Sequence, residues 1–411
     1  MSYIELNLEM SDEHMALKEN AHKFAVEVLR PAAIKLDTMT PEQAIAKGSI
    51  YWDCMKKMYE NGYHTILIPS EYGGLGVDPL GIHILFEEIS YGSVGFAVSI
   101  GVSCFSAFFS SLIAEEHHIE KFILPYVKCR DASIMSCWAI TEPDHGSDIL
   151  MPFSSIFHNP KITQQVKATR KGDRYLLNGQ KAAWVSNGTI ATQAAIFVNI
   201  EPSQGMAGGG IGLIDLTQKG VSRGKALDKL GQRELPQGEI FFDNAEIPVE
   251  DMIIDQESYE MFTDITLATA NASMGAFFTG LAQSAYDIAL AYSKERIQGG
   301  KPLCEHLTVQ KKLFEMFSKV EISRAYSRAA LQYNLSTSPP KTQYSIAAKV
   351  FATQSAFEVT SEALQILGGN GLSKEYPIEK LFRDARAGMI EDGSNDILAL
   401  AAAGLILREE S

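Results

Sequence analysis

The sequence predicts a mainly α-helical protein with a central β domain, in the order helices, β unit, helical bundle. Three observations carry this. Apolar residues recur at helical spacing through residues 11–130. Between about 131 and 250 the pattern becomes short apolar runs punctuated by turn residues. From about 258 onward long periodic stretches return. The expected units are residues 1–130, 131–250 and 251–411, in keeping with two to three domains for a 411-residue chain.

Each element has its local reason. Leu17, Ala21, Phe24 and Val28 share one helix face, and Pro31 is expected to end that helix. Residues 70–76 read as a loop. The apolar stretch 81–114 reads as two buried helices broken at Tyr91-Gly92-Ser93. In the central unit Tyr175-Leu176-Leu177 leads into Asn178-Gly179, a hairpin-turn dipeptide. Residues 194–200, 212–216 and 239–242 read as strands, and Glu246-Ile247-Pro248 as the exit. Helices are expected over 279–295, 308–333 and 344–367, the last two parted by Ser336-Thr337-Ser338-Pro339-Pro340.

Composition excludes some classes of function. Apolar content of 46% and charged content of 21% are ordinary for a soluble globular protein. A net charge of −14 disfavours nucleic acid and anionic membrane as partners. It leaves room for an anionic small ligand gripped by a few local Arg or Lys side chains. The five cysteines are scattered without a CxxC, which suggests no metal site and fits a reducing compartment. No signal peptide or membrane span is legible, so a cytoplasmic protein is expected.

The residues most suited to chemistry lie in Arg383-Asp384-Ala385-Arg386-Ala387-Gly388-Met389-Ile390-Glu391-Asp392-Gly393-Ser394. An Asp-Gly turn there presents carboxylates near the end of a helical region. If Glu391 or Asp392 enters an apolar pocket, its pKa rises towards the range useful for a base. The bland alternative is a solvated acidic turn, with Asn395 and Asp396 capping a last helix. The loop Thr141-Glu142-Pro143-Asp144-His145-Gly146-Ser147-Asp148 offers hydroxyl and backbone donors, although by composition it reads as a surface turn. Trp184 could wall a planar-cofactor pocket or fill a core. The run Gly208-Gly209-Gly210-Ile211-Gly212 precedes a strand instead of opening a helix after one, so it is not a dinucleotide loop. Arg296 ends a helix, where it suits the dipole or could grip a diphosphate.

In order and spacing the chain resembles the acyl-CoA dehydrogenases. Their Thr-Glu-Pro-x-x-Gly-Ser-Asp signature runs from Thr141 to Asp148. Leu177 to Gly188 follows their Leu-Asn-Gly-x-Lys…Trp-Ile-Thr-Asn-Gly pattern. Gly231-Gln232-Arg233, Phe242 to Pro248, Glu295-Arg296 and the block Gln365 to Asp396 complete the set. The resemblance implies an N-terminal helical domain, a β-barrel-like middle domain and a C-terminal four-helix bundle. It implies FAD, an acyl-CoA substrate, an electron-transferring flavoprotein as acceptor, and a homotetramer or dimer. By residue, it implies flavin contacts from Thr141, from the backbones at Trp138 and Ile140, and from Trp184, Ser186 and Ser394. Arg296 and Gln298 match contacts to the diphosphate and adenosine from a neighbouring subunit, and Gln365 and Gly369 match contacts to the ADP part. Ser147 matches a contact to the CoA pantetheine. Glu391 and Asn271 fall at the substrate.

The chain departs from the family pattern at the base. The usual glutamate is Asp392, whose carboxylate sits back by about 1.3–1.5 Å. Such a misplacement can cost on the order of 10²-fold in rate. The family's other base position, near 270–271, holds Ala270 and Asn271. Glu391 replaces a common aromatic residue, and Gly299 a common phenylalanine. These changes suggest a branched, cyclic or aryl acyl group. Alternatives on the same fold are a 1,4-elimination, loss of a leaving group, oxygen-using flavin chemistry, or a catalytically weak flavoprotein acting as a binding subunit.

Overall fold

The structure is a computed structural model and describes residues 5–409. The first unit contains α1 (Asp12–Phe24), α2 (Arg30–Asp37), α3 (Pro41–Ile45), α4 (Ile50–Glu60), α5 (Pro79–Gly92), α6 (Val94–Ser103), α7 (Phe105–Ile113), α8 (Glu116–His118) and α9 (Leu124–Lys128). Ser11 opens α1 with a capping box closed by His14. Pro31 does not end the helix. A π-helical segment, Ala25–Leu29, joins α1 to α2, and Pro31 falls in the first turn of α2, where a missing N–H costs least. The apolar stretch forms three helices instead of two. Ser93 adopts an extended backbone and accepts the Phe96 N–H to start α6, and a second break follows at Cys104.

The central unit is one eight-stranded sheet: β1 (Ser136–Ala139), β2 (Lys167–Lys171), β3 (Arg174–Lys181), β4 (Gln193–Asn199), β5 (Gly209–Asp215), β6 (Val221–Arg223), β7 (Ile240–Pro248) and β8 (Met252–Ile254). Its order is β6-β7-β3-β2-β4-β5-β8, with β1 added in parallel to β4. Asn178-Gly179 is not a turn. It lies inside β3 at a register shift against β7, and Gly179 takes φ +136° beside the Gln165 carbonyl. The hairpin turn falls at Gly172-Asp173 instead. Gly209 and Gly210 lie in β5, and the Tyr259 ring occupies the space a Gly209 side chain would need.

The last unit holds α10 (Tyr259–Glu295), α11 (Leu307–Ser336), α12 (Thr342–Leu367), α13 (Ile378–Gly388) and α14 (Asn395–Glu409). A small hairpin of β9 (Ile297–Gln298) and β10 (Lys301–Pro302) follows α10. α10 starts well before residue 279. It is buried on most sides because α5, α11 and α12 surround it, so it has no polar stripe to mark its period. The packing with α5 is close: a Cβ on Gly280 would sit 2.0 Å from the Glu87 carbonyl oxygen. Gly280→Ala is therefore expected to cost about 1–3 kcal/mol. Urea titration of folded protein reads this directly, and an unchanged midpoint would refute the close approach.

Among the described residues no single helix is long and apolar enough to cross a membrane. The bent pair α6 and α7 passes on length and composition, but both helices are largely buried in the first unit.

Candidate active site

The site is built around the turn between α13 and α14. Asp392 has φ +51° and Gly393 φ +97°, two left-handed residues in succession. Aspartate tolerates this region better than most residues. Gly393 has no substitute, since its Cβ would press on Leu398 and Leu150. Ser394, not Asn395, precedes α14, and its hydroxyl accepts the Ile397 N–H at 3.5 Å. The Ser394 N–H donates to Ser147 Oγ at 2.9 Å, so the Thr141–Asp148 loop is tied to the turn.

Among the described residues Asp392 is the only carboxylate lining a narrow apolar cavity. Phe86 from α5, Val98 and Val102 from α6, Phe105 and Phe108 from α7, and Phe277 from α10 form its walls. Thr266 and Ser273 also face it, but their hydroxyls bond to the Phe262 and Thr269 carbonyls at 2.8 and 2.9 Å. Among the described residues no cation lines the cavity. Burial raises the Asp392 pKa to about 6, and the Lys349 ammonium pulls it part of the way back. Glu391 is pushed to about 7 by burial and by the Asp392 charge, against a 2.6 Å bond from Gln232 Nε2 and the charges of Lys229 and Lys349. The two carboxylates titrate as neighbours.

Glu391 does not line the cavity; its carboxylate turns to Gln232. Asn271 does not line it either. It is fully buried, its Nδ2 bonds the Leu267 carbonyl at 3.0 Å, and its Oδ1 has no partner among the described residues. Ala270 takes the lining position.

A second wall comes from the sheet. Trp138 lies in β1, with Ile140 and Thr141 just after it. Lys181, fully buried, donates to the Ile140 carbonyl at 3.1 Å and to Glu142 at 2.8 Å. Glu142 also accepts the Val166 N–H, so this buried pair pins the loop to β3. Trp184 is not a core residue, since its indole is 58% exposed. Ser186 sits beside it and accepts from Gln237 Nε2 at 3.1 Å, while Lys229 donates to Gln237 Oε1 at 2.7 Å. Asn187 locks this segment to α6 through Ser99.

Arg296, Gln298, Gln365 and Gly369 come together elsewhere, in a groove of about 550 Å³ at the far ends of α10 and α12. Arg296 has no acidic partner among the described residues. From Ala270 to Arg296 is about 26 residues of α10, or about 39 Å. The groove and the cavity therefore lie at well-separated levels of α10.

These features fit a flavin dinucleotide. An exposed indole offers a flat face, the Thr141 hydroxyl is unused by the described residues, and a groove with an unpaired guanidinium suits a diphosphate. Lys181 and Gln232 are legible in the sequence only as members of the motif stretches, without a role, and Lys349 escapes sequence reasoning altogether. Lys349 had a readable signal, because it shares a buried helix face with Ile346, Thr353 and Ala356.

Comparison with known proteins agrees with this geometry. The chain matches the N-terminal, middle and C-terminal domains of the acyl-CoA dehydrogenases over residues 11–117, 137–245 and 264–406. It is 28% identical to a 3-(aryl)acrylate reductase of Clostridium sporogenes, covering 97% of this chain and 99% of that one. It is 27% identical to a cyclohex-1-ene-1-carbonyl-CoA dehydrogenase of Syntrophus aciditrophicus, covering 97% and 91%. Among solved structures, butyryl-CoA dehydrogenase from Megasphaera elsdenii superposes with a TM-score of 0.85 at 27% identity, over 98% of this chain and 100% of that one.

Proposed function

Because the chain belongs to the acyl-CoA dehydrogenase family of FAD-carrying oxidoreductases, we propose that it converts an acyl-CoA thioester whose acyl group is compact and uncharged to its enoyl-CoA, with Asp392 as base. The observation that carries this reading is the single carboxylate at the edge of an apolar, phenylalanine-walled cavity. When bound, FAD supplies the hydride acceptor. The protein's own residues do the rest. Trp184 and Thr141 seat the ring system. The cavity holds the acyl group and excludes water, which keeps Asp392 basic. The Asp392 carboxylate takes the proton α to the thioester, and by the family resemblance its own backbone N–H steadies the thioester oxygen.

The acyl group is branched, cyclic or aryl. Four phenylalanine rings favour a compact or flat group, and relatives named for aryl and cyclohexenyl substrates support this. A terminal carboxylate on the acyl group is disfavoured, since among the described residues no cation lines the cavity to receive it. An anaerobic comparison of acyl-CoAs of equal size tests this: uncharged members bleach the flavin and ω-carboxylated ones do not. Reduction by a dicarboxylic acyl-CoA at a matching rate would defeat the reading. A 1,4-elimination on a ring is the second reading. It is favoured by the retracted reach of Asp392 and by the cyclohexenyl relative.

Asp392 acts as a base only when ionised. Its pKa is raised to about 6, so the rate of flavin reduction is expected to climb as pH rises through about 6 and to level above it. A profile flat down to pH near the ordinary carboxylate value of about 4 would contradict this.

We infer from the family resemblance that a second copy supplies Arg296 and Gln298 to each FAD, and the separation of groove and cavity along α10 is in keeping with this. Exposed Phe314 and Phe317 on α11 and Tyr344 and Phe351 on α12 offer apolar surface for such an assembly, and the family resemblance points to a homotetramer. The same resemblance names an electron-transferring flavoprotein as acceptor.

A further inference from the structure

We propose that Lys349 is a positioning residue for the reaction: from beneath the turn, its ammonium holds the Gly393 carbonyl and the Asn395 side chain and so sets where the Asp392 carboxylate stands. The proposal rests on Asp392 being the base.

Lys349 comes from the middle of α12 and is fully buried. Its Nζ donates to the Gly393 carbonyl at 2.6 Å and to Asn395 Oδ1 at 2.8 Å. It forms no ion pair within 4.0 Å among the described residues. A buried ammonium held only by neutral oxygens is costly. The negative charges that favour its protonated form against burial are those of Asp392 and Glu391, in the turn it supports. A core position on a helix would be filled more cheaply by an apolar residue, so the charge has a use beyond packing.

Two effects follow from the geometry. First, the lysine holds the C-terminal side of a turn with consecutive left-handed residues, a conformation that persists only when its surroundings hold it. Asn395 is itself held by Thr353, whose Oγ1 lies 3.1 Å from its Nδ2. Second, a cation on the Gly393 carbonyl polarises that peptide and strengthens its N–H at Ser394. That N–H donates to Ser147 Oγ at 2.9 Å. Ser147 accepts there, which leaves its own proton for a ligand on the other side.

The charged groups facing the turn are few. Lys349 approaches from α12, Glu391 stands beside Asp392, and Lys229 approaches Glu391 from the sheet unit. The cavity walls from α5, α6, α7 and α10 add none. Removing Lys349 takes away the cation whose charge holds the Asp392 pKa down, and burial then drives its protonation to higher pH.

The test compares Lys349→Met, Lys349→Gln and Asp392→Asn as holoenzymes. FAD content, substrate affinity and the rate of flavin reduction at saturating acyl-CoA are measured across the neutral pH range. Lys349→Met is expected to keep FAD and bind substrate, to reduce its flavin about 10²-fold more slowly, and to show its acid limb at higher pH. Lys349→Gln keeps a donor without charge, so it recovers part of the rate but not the limb. A normal rate and unmoved limb in Lys349→Met, with Asp392→Asn inactive, overturns the proposal alone. Normal reduction by Asp392→Asn overturns the base assignment, and this proposal with it. If Lys349→Met does not fold, an unmoved limb in Lys349→Gln is decisive against it.

Discussion

Asp392→Asn is expected to bind FAD and acyl-CoA but to lose flavin reduction by about 10²–10⁴-fold, the usual contribution of a positioned general base. The amide is nearly the same size, so the left-handed turn persists, and asparagine tolerates that backbone as well as aspartate does. What disappears is, among the described residues, the only carboxylate lining the cavity. No neighbour replaces it: Ala270 cannot, Asn271 is bonded back to its own helix, and Glu391 faces Gln232. Rapid anaerobic mixing and flavin absorbance read the loss. A variant that bleaches at the normal rate has its base elsewhere.

Arg296→Glu is expected to yield protein largely stripped of FAD. One charge-assisted grip on a diphosphate contributes about 1.5–3 kcal/mol, or one to two orders of magnitude in affinity at about 1.4 kcal/mol per decade. Reversing the charge adds repulsion to that loss. The groove offers Gln298, Gln365 and Gly369 alongside, but none of these carries a charge. The ratio of flavin to protein absorbance after purification measures it. Since the groove lies about 39 Å along α10 from the base turn, mixing Arg296→Glu with Asp392→Asn subunits sharpens the result. If each FAD is shared between two copies, mixed assemblies contain sites with both wild-type parts and regain activity.

Much of the architecture was legible because hydrophobic period changes twice along the chain, and those changes coincide with real changes of element type. The misreadings have physical causes. α10 was shortened because residues 259–278 are buried nearly all round, and a helix without a polar face has no stripe to read. Asn178-Gly179 looked like a hairpin turn because the same φ > 0 tolerance serves a bulge inside β3. Pro31 looked like a terminator because a π-helical segment that accommodates proline has no sequence signal.

The site divides in the same way. Asp392 was legible since an Asp-Gly turn carries its own conformational reason. The cavity it lines was not, because its walls come from α5, α6, α7 and α10, distant in sequence. Lys349 was missed as one lysine in a periodic helix, though its place on the core face was the clue.

The central claim is that Asp392 abstracts a proton in dehydrogenating an acyl-CoA whose acyl group is compact and uncharged. The most direct test mixes the FAD-loaded protein anaerobically with straight-chain, branched, cyclic, aryl and ω-carboxylated acyl-CoAs, follows flavin absorbance, and weighs the products. The account predicts bleaching by branched, cyclic or aryl members, with a product lighter by one pair of hydrogens. Absence of bleaching by every member, or products that have lost some other group, would contradict it.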